Sequence, residues 1–154
     1  NIECLTLIPC NLYGPNDSFD LTKSHVLSAL IKRFTDAKNI GVGNITLWGT
    51  GQARREFMHV DDIANAVFYF LNNSTTSNSI NIGPGTDISI KELAQLIAEK
   101  VGFQGEIFWD STKPDGMLKK CMDVSQMKSL GYKPLISLDE GIDQMIEIYK
   151  NLNN

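Results

Sequence analysis

Trp48-Gly49-Thr50-Gly51-Gln52-Ala53-Arg54-Arg55-Glu56-Phe57-Met58-His59-Val60-Asp61-Asp62-Ile63 holds more special residue types than any other stretch of this chain. Its glycines let the backbone turn tightly or approach a ligand, Trp48 offers a stacking face, and Arg55 a planar fork suited to phosphate oxygens. On its upstream side Asn44-Ile45-Thr46-Leu47-Trp48 reads as a short strand. On its downstream side Asp61 or Asp62 opens a helix, with Ile63, Val67, Phe70 and Leu71 at helical spacing. The residues between also fit a β-hairpin with a solvated Arg pair. The Gly-x-Gly itself carries little weight for phosphate binding, because it does not lie between a strand and a helix in a βαβ unit.

The same alternation continues outward. Ile2 to Ile8 reads as a mostly apolar strand stopped by Pro9, and a turn-rich stretch from Asn11 to Thr22 follows. A helix from Ser24 to about Ala37 carries Val26, Leu30 and Phe34 on one face. Beyond a polar loop from Asn72 to Ser79, Ile80-Asn81-Ile82 is a short strand ending at Gly83-Pro84-Gly85. Two capping boxes, Ser89 with Glu92 and Ser137 with Glu140, start two more helices. The first buries Leu93, Leu96, Ile97 and Val101 and stops at Gly102; the second buries Leu138, Ile142, Met145, Ile146 and Tyr149. Between them lie a strand from Glu106 to Trp109, a polar loop from Asp110 to Lys120, and a short helix from Val124 to Leu130. Strands alternating with helices define the α/β class.

Composition narrows the functional classes. The chain has 154 residues, 42% hydrophobic and 21% charged, with a net charge of −4. The pI near 5.1 argues against a nucleic-acid protein, which would show a basic stripe. Its longest greasy run, Ile63 to Leu71, contains Asn65 and falls far short of a membrane span of about 20 residues. Cys4, Cys10 and Cys121 match neither a disulfide framework nor a zinc site, which fits a reducing, cytoplasmic setting. The chain opens on Asn1 inside a strand pattern, and this predicts further sequence upstream.

Two other places could carry chemistry. His25 stands at a helix start, where the helix dipole suits a neutral imidazole able to exchange protons; a surface or capping role is the commoner use of such a residue. His59 reads as structural. Lys113-Pro114-Asp115-Gly116, followed by Lys119-Lys120, is either a plain surface turn or a site where Asp115 meets a base or ribose and Lys120 a phosphate.

Pro9-Cys10-Asn11-Leu12-Tyr13-Gly14-Pro15, Ser24-His25-Val26, Trp48-Gly-Thr-Gly, Arg55-Glu-Phe-Met-His-Val-Asp-Asp62 and Lys113-Pro-Asp-Gly116 occur in that order. Together they resemble the C-terminal half of the GDP-L-fucose synthases, extended short-chain dehydrogenase/reductases that epimerise and reduce GDP-4-keto-6-deoxy-D-mannose. The resemblance covers essentially the whole chain. It implies that His25 is the proton donor of epimerisation, opposite a cysteine in an upstream half. It also implies that Pro9, Cys10, Asn11 and Leu12, with His25 at the border, meet the nicotinamide end of NADP. Arg33, Trp48, Arg55 and Asp115 correspond to GDP-sugar contacts, with Lys120 a further one, and Arg55 to the diphosphate ligand. Met117-Leu118 depart from the Thr-Pro commoner after Lys-Pro-Asp-Gly.

Neither G-x-x-G-x-x-G nor Tyr-x-x-x-Lys occurs, so the phosphate loop, catalytic Tyr and Lys, and epimerase Cys are expected upstream. The expected organisation is a late Rossmann strand and cofactor/substrate loop over 1–23, and a substrate-binding α/β domain over 24–154. Expected partners are a GDP-sugar, a Rossmann half and, for the full-length protein, a second copy; neither nucleic acid nor membrane is expected. Two other readings remain: the substrate half of another nucleotide-sugar epimerase or dehydratase, and a non-catalytic nucleotide-sugar-binding module.

Overall fold

The computed structural model describes residues 4–73, 75 and 77–152. In chain order it contains β1 (Thr6–Pro9), β2 (Asn11–Tyr13), α1 (Val26–Ile40), β3 (Asn44–Trp48), β4 (Arg54–Arg55), β5 (Phe57–His59) and α2 (Val60–Asn72). There follow β6 (Ser79–Ile82), β7 (Ile88–Ser89), α3 (Ile90–Val101), β8 (Glu106–Asp110), β9 (Lys119–Lys120), α4 (Ser125–Ser129) and α5 (Leu138–Leu152). This is the α/β alternation that the sequence pattern predicts.

Among the described residues four small sheets arise, most of them from long-range parallel pairs. β1 lies parallel to β6, β2 to β5 and β3 to β8, while β4 sits between antiparallel β7 and parallel β9. Ile2 and Glu3, assigned to the first strand, lie outside the described residues, and that strand takes in Pro9 as its last member. Proline is tolerated there because β1 is an edge strand among the described residues. Asn11–Tyr13, read as the start of a turn-rich stretch, is instead a strand, because β5 offers it a partner 46 residues away. The hairpin alternative fails for the same reason: β4 and β5 pair with different strands and not with each other.

Two apolar cores hold these pieces. α1, α3 and α5 pack on β3 and β8 around Leu27, Ile31, Phe34, Ile97, Ile142 and Met145, each 1% exposed or less. Burying one such side chain contributes about 1.5–3 kcal/mol. The second core gathers α2, α4 and the β1–β6 pair around Met58, Ala66, Ile80, Ile82 and Met127. Both capping boxes form. Ser89 and Glu92 satisfy each other's backbone N–H groups, as do Ser137 and Glu140, and Gly102 ends α3 in a left-handed conformation.

α2 begins one residue before the predicted Asp61 or Asp62. Its cap is His59, whose Nδ1 accepts the Asp61 N–H at 3.2 Å. Asp62 is fully buried and accepts the N–H groups of Leu135 (2.9 Å) and Ile136 (3.0 Å), fastening the entry to α5.

Candidate functional site

β1 and β6 run in register from Thr6↔Ser79 to Pro9↔Ile82, so Pro9–Cys10 and Gly83–Gly85 leave the sheet at the same end. The crevice outside the carboxyl ends of parallel strands is where α/β folds bind ligands. Pro9 is exposed there, while Cys10, Asn11 and Leu12 are half-buried. The Cys10 N–H bonds to the Ile82 carbonyl at 3.0 Å, and the Asn11 side-chain amide donates to the Glu56 carbonyl at 2.7 Å. Burial first, and the charge of Glu56 second, push the Cys10 thiol up to about 12, so it is neutral at physiological pH.

The β4–β9 register sets Arg55 opposite Lys120, which is exposed. Nη1 of Arg55 donates to the carbonyls of Arg54 (2.8 Å) and Met117 (2.6 Å). Among the described residues its Nε and Nη2 have no hydrogen-bond partner, and Gly116 leaves the space beside Nη2 open. The neighbouring Arg54 is committed elsewhere, to Asp87 and Glu92, and Lys119 also pairs with Asp87. Of the Arg pair, only Arg55 therefore offers a fork to a ligand.

Trp48 ends β3 with 72% of its surface exposed, and the Lys113 ammonium stands 5.7 Å from its ring centroid. The turn after it is pinned by Asp115, which accepts the Thr50 N–H at 2.7 Å and the Thr50 hydroxyl at 2.5 Å. Those bonds, the hydroxyl first, hold the Asp115 carboxyl below the usual carboxylate range. Gly49 sits in the left-handed region, and a Cβ on it would come within 2.2 Å of Asp115 Oδ1. Both Asp115 oxygens thus face the turn, and the sequence alone gave no sign of this partner 65 residues away.

Arg33, half-buried on α1, donates from Nη2 to the Thr46 carbonyl at 2.6 Å, and burial lowers its pKa. His25 caps α1 through its backbone: its extended φ of −72° and ψ of 163° turn the chain into the helix, and its carbonyl accepts the Ala29 N–H. The imidazole is exposed and makes no capping bond. Eight residues separate it from Arg33, about 12 Å along the helix. The loop leading to it is anchored by the Ser28 hydroxyl on the Asp17 carboxylate and by Asp20 on Thr22. Asp115 is thus bonded to the turn after Trp48, and Arg55 stands opposite Lys120 with its Nη2 beside Gly116. Among the described residues, no hydrogen bond joins His25 to Pro9–Leu12.

Sequence reasoning missed Glu56 and Asp62 as organising residues. No local signal marks them, since Glu56 follows two arginines and Asp62 follows Asp61. Among the described residues, no group of three His, Cys, Asp or Glu side chains could hold a metal, and no helix is long and apolar enough to cross a membrane.

The chain belongs to the NAD dependent epimerase/dehydratase family, whose model matches residues 1–83. It is 46% identical over 153 residues to GDP-L-fucose synthase 1 of Arabidopsis thaliana, covering 99% of this chain and 47% of the relative. A GDP-L-fucose synthetase from Naegleria fowleri bound to NADP superposes with a TM-score of 0.88 at 25% identity, over 97% of this chain and 48% of that one. A GDP-6-OMe-4-keto-L-xylo-heptose reductase from C. jejuni superposes at 0.84 with 36% identity, over 97% and 54%. The chain therefore spans about half the length of these relatives, and it corresponds to the C-terminal part of the extended short-chain dehydrogenase/reductase fold.

Proposed function

We propose that this chain is the GDP-sugar-binding half of an NADP-dependent GDP-L-fucose synthase. The full enzyme would epimerise GDP-4-keto-6-deoxy-D-mannose at carbons 3 and 5 and reduce it at carbon 4. The observation that carries this reading is the Arg55 guanidinium, held by two backbone carbonyls with two nitrogens left open, opposite Lys120 and beside Gly116 of the loop whose Asp115 pins the turn after exposed Trp48. Such a fork suits the paired oxygens of a diphosphate, and an exposed indole suits a base or sugar face.

A 4-keto group acidifies the protons on carbons 3 and 5, so a positioned acid can return a proton to either carbon of an enolate. His25 is free to do so, its ring exposed at a helix start that Asp17 and Asp20 fix in place. The matching base would come from outside this chain. Asp115, expected to contact the GDP-sugar, has both carboxylate oxygens bonded to Thr50 and would act by holding the turn after Trp48. Pro9, Cys10, Asn11 and Leu12 would hold the nicotinamide end of NADP, with the neutral Cys10 thiol adding no charge against it. When bound, the cofactor supplies the hydride for carbon 4.

Residues 1–23 belong with the cofactor half and 24–154 with the substrate half, though β6 returns to complete the sheet of β1. A groove of about 500 Å³ lined by Leu5, Leu7, Pro9, Ile63, Val67 and Leu71, beside the edge of β1, is the seat for the Rossmann half. We place the full enzyme in the cytoplasm as a homodimer built through that half.

The test is NADPH oxidation by the full-length enzyme supplied with GDP-4-keto-6-deoxymannose, with GDP-L-fucose as the product. No NADPH oxidation would refute the reading. A product reduced at carbon 4 without inversion would favour a simple 4-reductase, the reading that the likeness to the C. jejuni reductase supports.

A further inference from the structure

Glu56 is 1% exposed, and its carboxylate accepts two backbone N–H groups, with the Cys121 thiol as a further hydrogen-bond partner. Gly85 donates to Oε1 at 2.6 Å and Met122 to Oε2 at 3.0 Å. Its main-chain carbonyl accepts the Asn11 amide at 2.7 Å. One residue is therefore bonded to three segments far apart in sequence: the strand after Pro9–Cys10, the turn after β6, and the chain leaving β9. Burying a carboxylate is costly, and an apolar side chain would fill the volume at less expense.

What the carboxylate adds is register. The β4–β9 ladder that sets Arg55 opposite Lys120 has two residue pairs, and β2–β5 has three. Ladders so short hold position weakly by themselves. The Met122 bond lies two residues past Lys120, and the Gly85 bond holds the turn that leaves the sheet beside Pro9–Cys10. The neighbouring backbone is shaped to admit the carboxylate: a Cβ on Gly83 would stand 2.6 Å from Glu56 Oε1.

We infer that Glu56 is a positioning residue that holds the nicotinamide-end loop and the Arg55–Lys120 edge in one fixed relation, so that cofactor and GDP-sugar meet. This rests on the GDP-sugar reading above. Glu56 touches neither ligand; its carboxylate acts through the Gly85 turn, which leaves the sheet beside Pro9–Cys10, on one side and through the 119–122 segment on the other.

The experiment is steady-state kinetics on the full-length enzyme carrying Glu56→Gln, at a temperature well below the variant's own melting transition. Glutamine offers one acceptor oxygen, so one of the two N–H groups faces an NH2 instead. KM for GDP-4-keto-6-deoxymannose and KM for NADPH are both expected to rise about tenfold, the order of one lost charge-assisted hydrogen bond, with kcat changed much less. Gly83→Ala, which keeps the charge but crowds Oε1, is expected to move both KM values in the same direction, and it carries the test if Glu56→Gln does not fold. A lowered melting temperature with both KM values unchanged would show a merely structural carboxylate and overturn the inference. A wild-type enzyme inert toward the GDP-sugar would instead overturn the functional reading, and this inference with it.

Discussion

Replacing Arg55 with alanine tests the phosphate edge. The side chain is fixed before any ligand arrives, since Nη1 already bonds the Met117 carbonyl at 2.6 Å and the Arg54 carbonyl at 2.8 Å. Nε and Nη2 are the donors that remain. Two hydrogen bonds to a charged acceptor would contribute about 1.5–3 kcal/mol each in a desolvated site. Arg55 is only half-buried, and salt screens what solvent reaches, so the net loss is set at about 2–3 kcal/mol, or about 30–150-fold in Kd. The assay is calorimetric titration of the full-length enzyme with GDP and, in parallel, with GMP. A contact to the diphosphate predicts a larger loss for GDP than for GMP. Arg55→Lys keeps the charge without the planar fork, and it should recover only part of the GDP affinity. A GDP Kd within about threefold of wild type, or equal losses for GDP and GMP, would refute the reasoning.

Two further predictions concern the fold. Asp62→Ala strands the buried N–H groups of Leu135 and Ile136, costing about 2–4 kcal/mol and lowering the melting temperature by about 5–15 °C; an unchanged melt would contradict the role assigned to Asp62. Folding raises the Cys10 thiol from about 9 to about 12 and pushes Cys121 up as well, chiefly by burial. Below pH 9 these thiols are protonated in both states and cost nothing. Above it the unfolded chain releases their protons first, so stability falls as pH rises from about 9 toward 12. Urea melts of wild type and Cys10→Ala between pH 8 and 10 check this, the variant showing the shallower decline.

The parts of the fold legible in the sequence are those with local causes. Ser89–Glu92 and Ser137–Glu140 bond across three residues, so the helix starts they mark stand where the pattern puts them. β3 alternates apolar and polar residues, and β8 is a short apolar run between two acids, so both were readable as strands. β2 was not, because three residues carry no period and its partner β5 is distant in sequence. The start of α2 was misjudged because His59 does the capping usually done by Ser or Asp. The motifs single out Trp48, Arg55 and Asp115 as candidates, but not what Asp115 holds. Its bond to Thr50, like those of Glu56 to Gly85 and Met122, depends on chain closures that no local pattern encodes.

The most direct test of the central claim is isotope exchange by the full-length enzyme in D2O, with and without His25→Gln. Wild type is predicted to introduce deuterium at carbons 3 and 5 of GDP-4-keto-6-deoxymannose and to invert both centres. Without the His25 proton donor, exchange and inversion should fall by about 10²-fold or more, while NADPH-dependent reduction of the ketone continues. Exchange and inversion at the wild-type rate in His25→Gln would contradict the account.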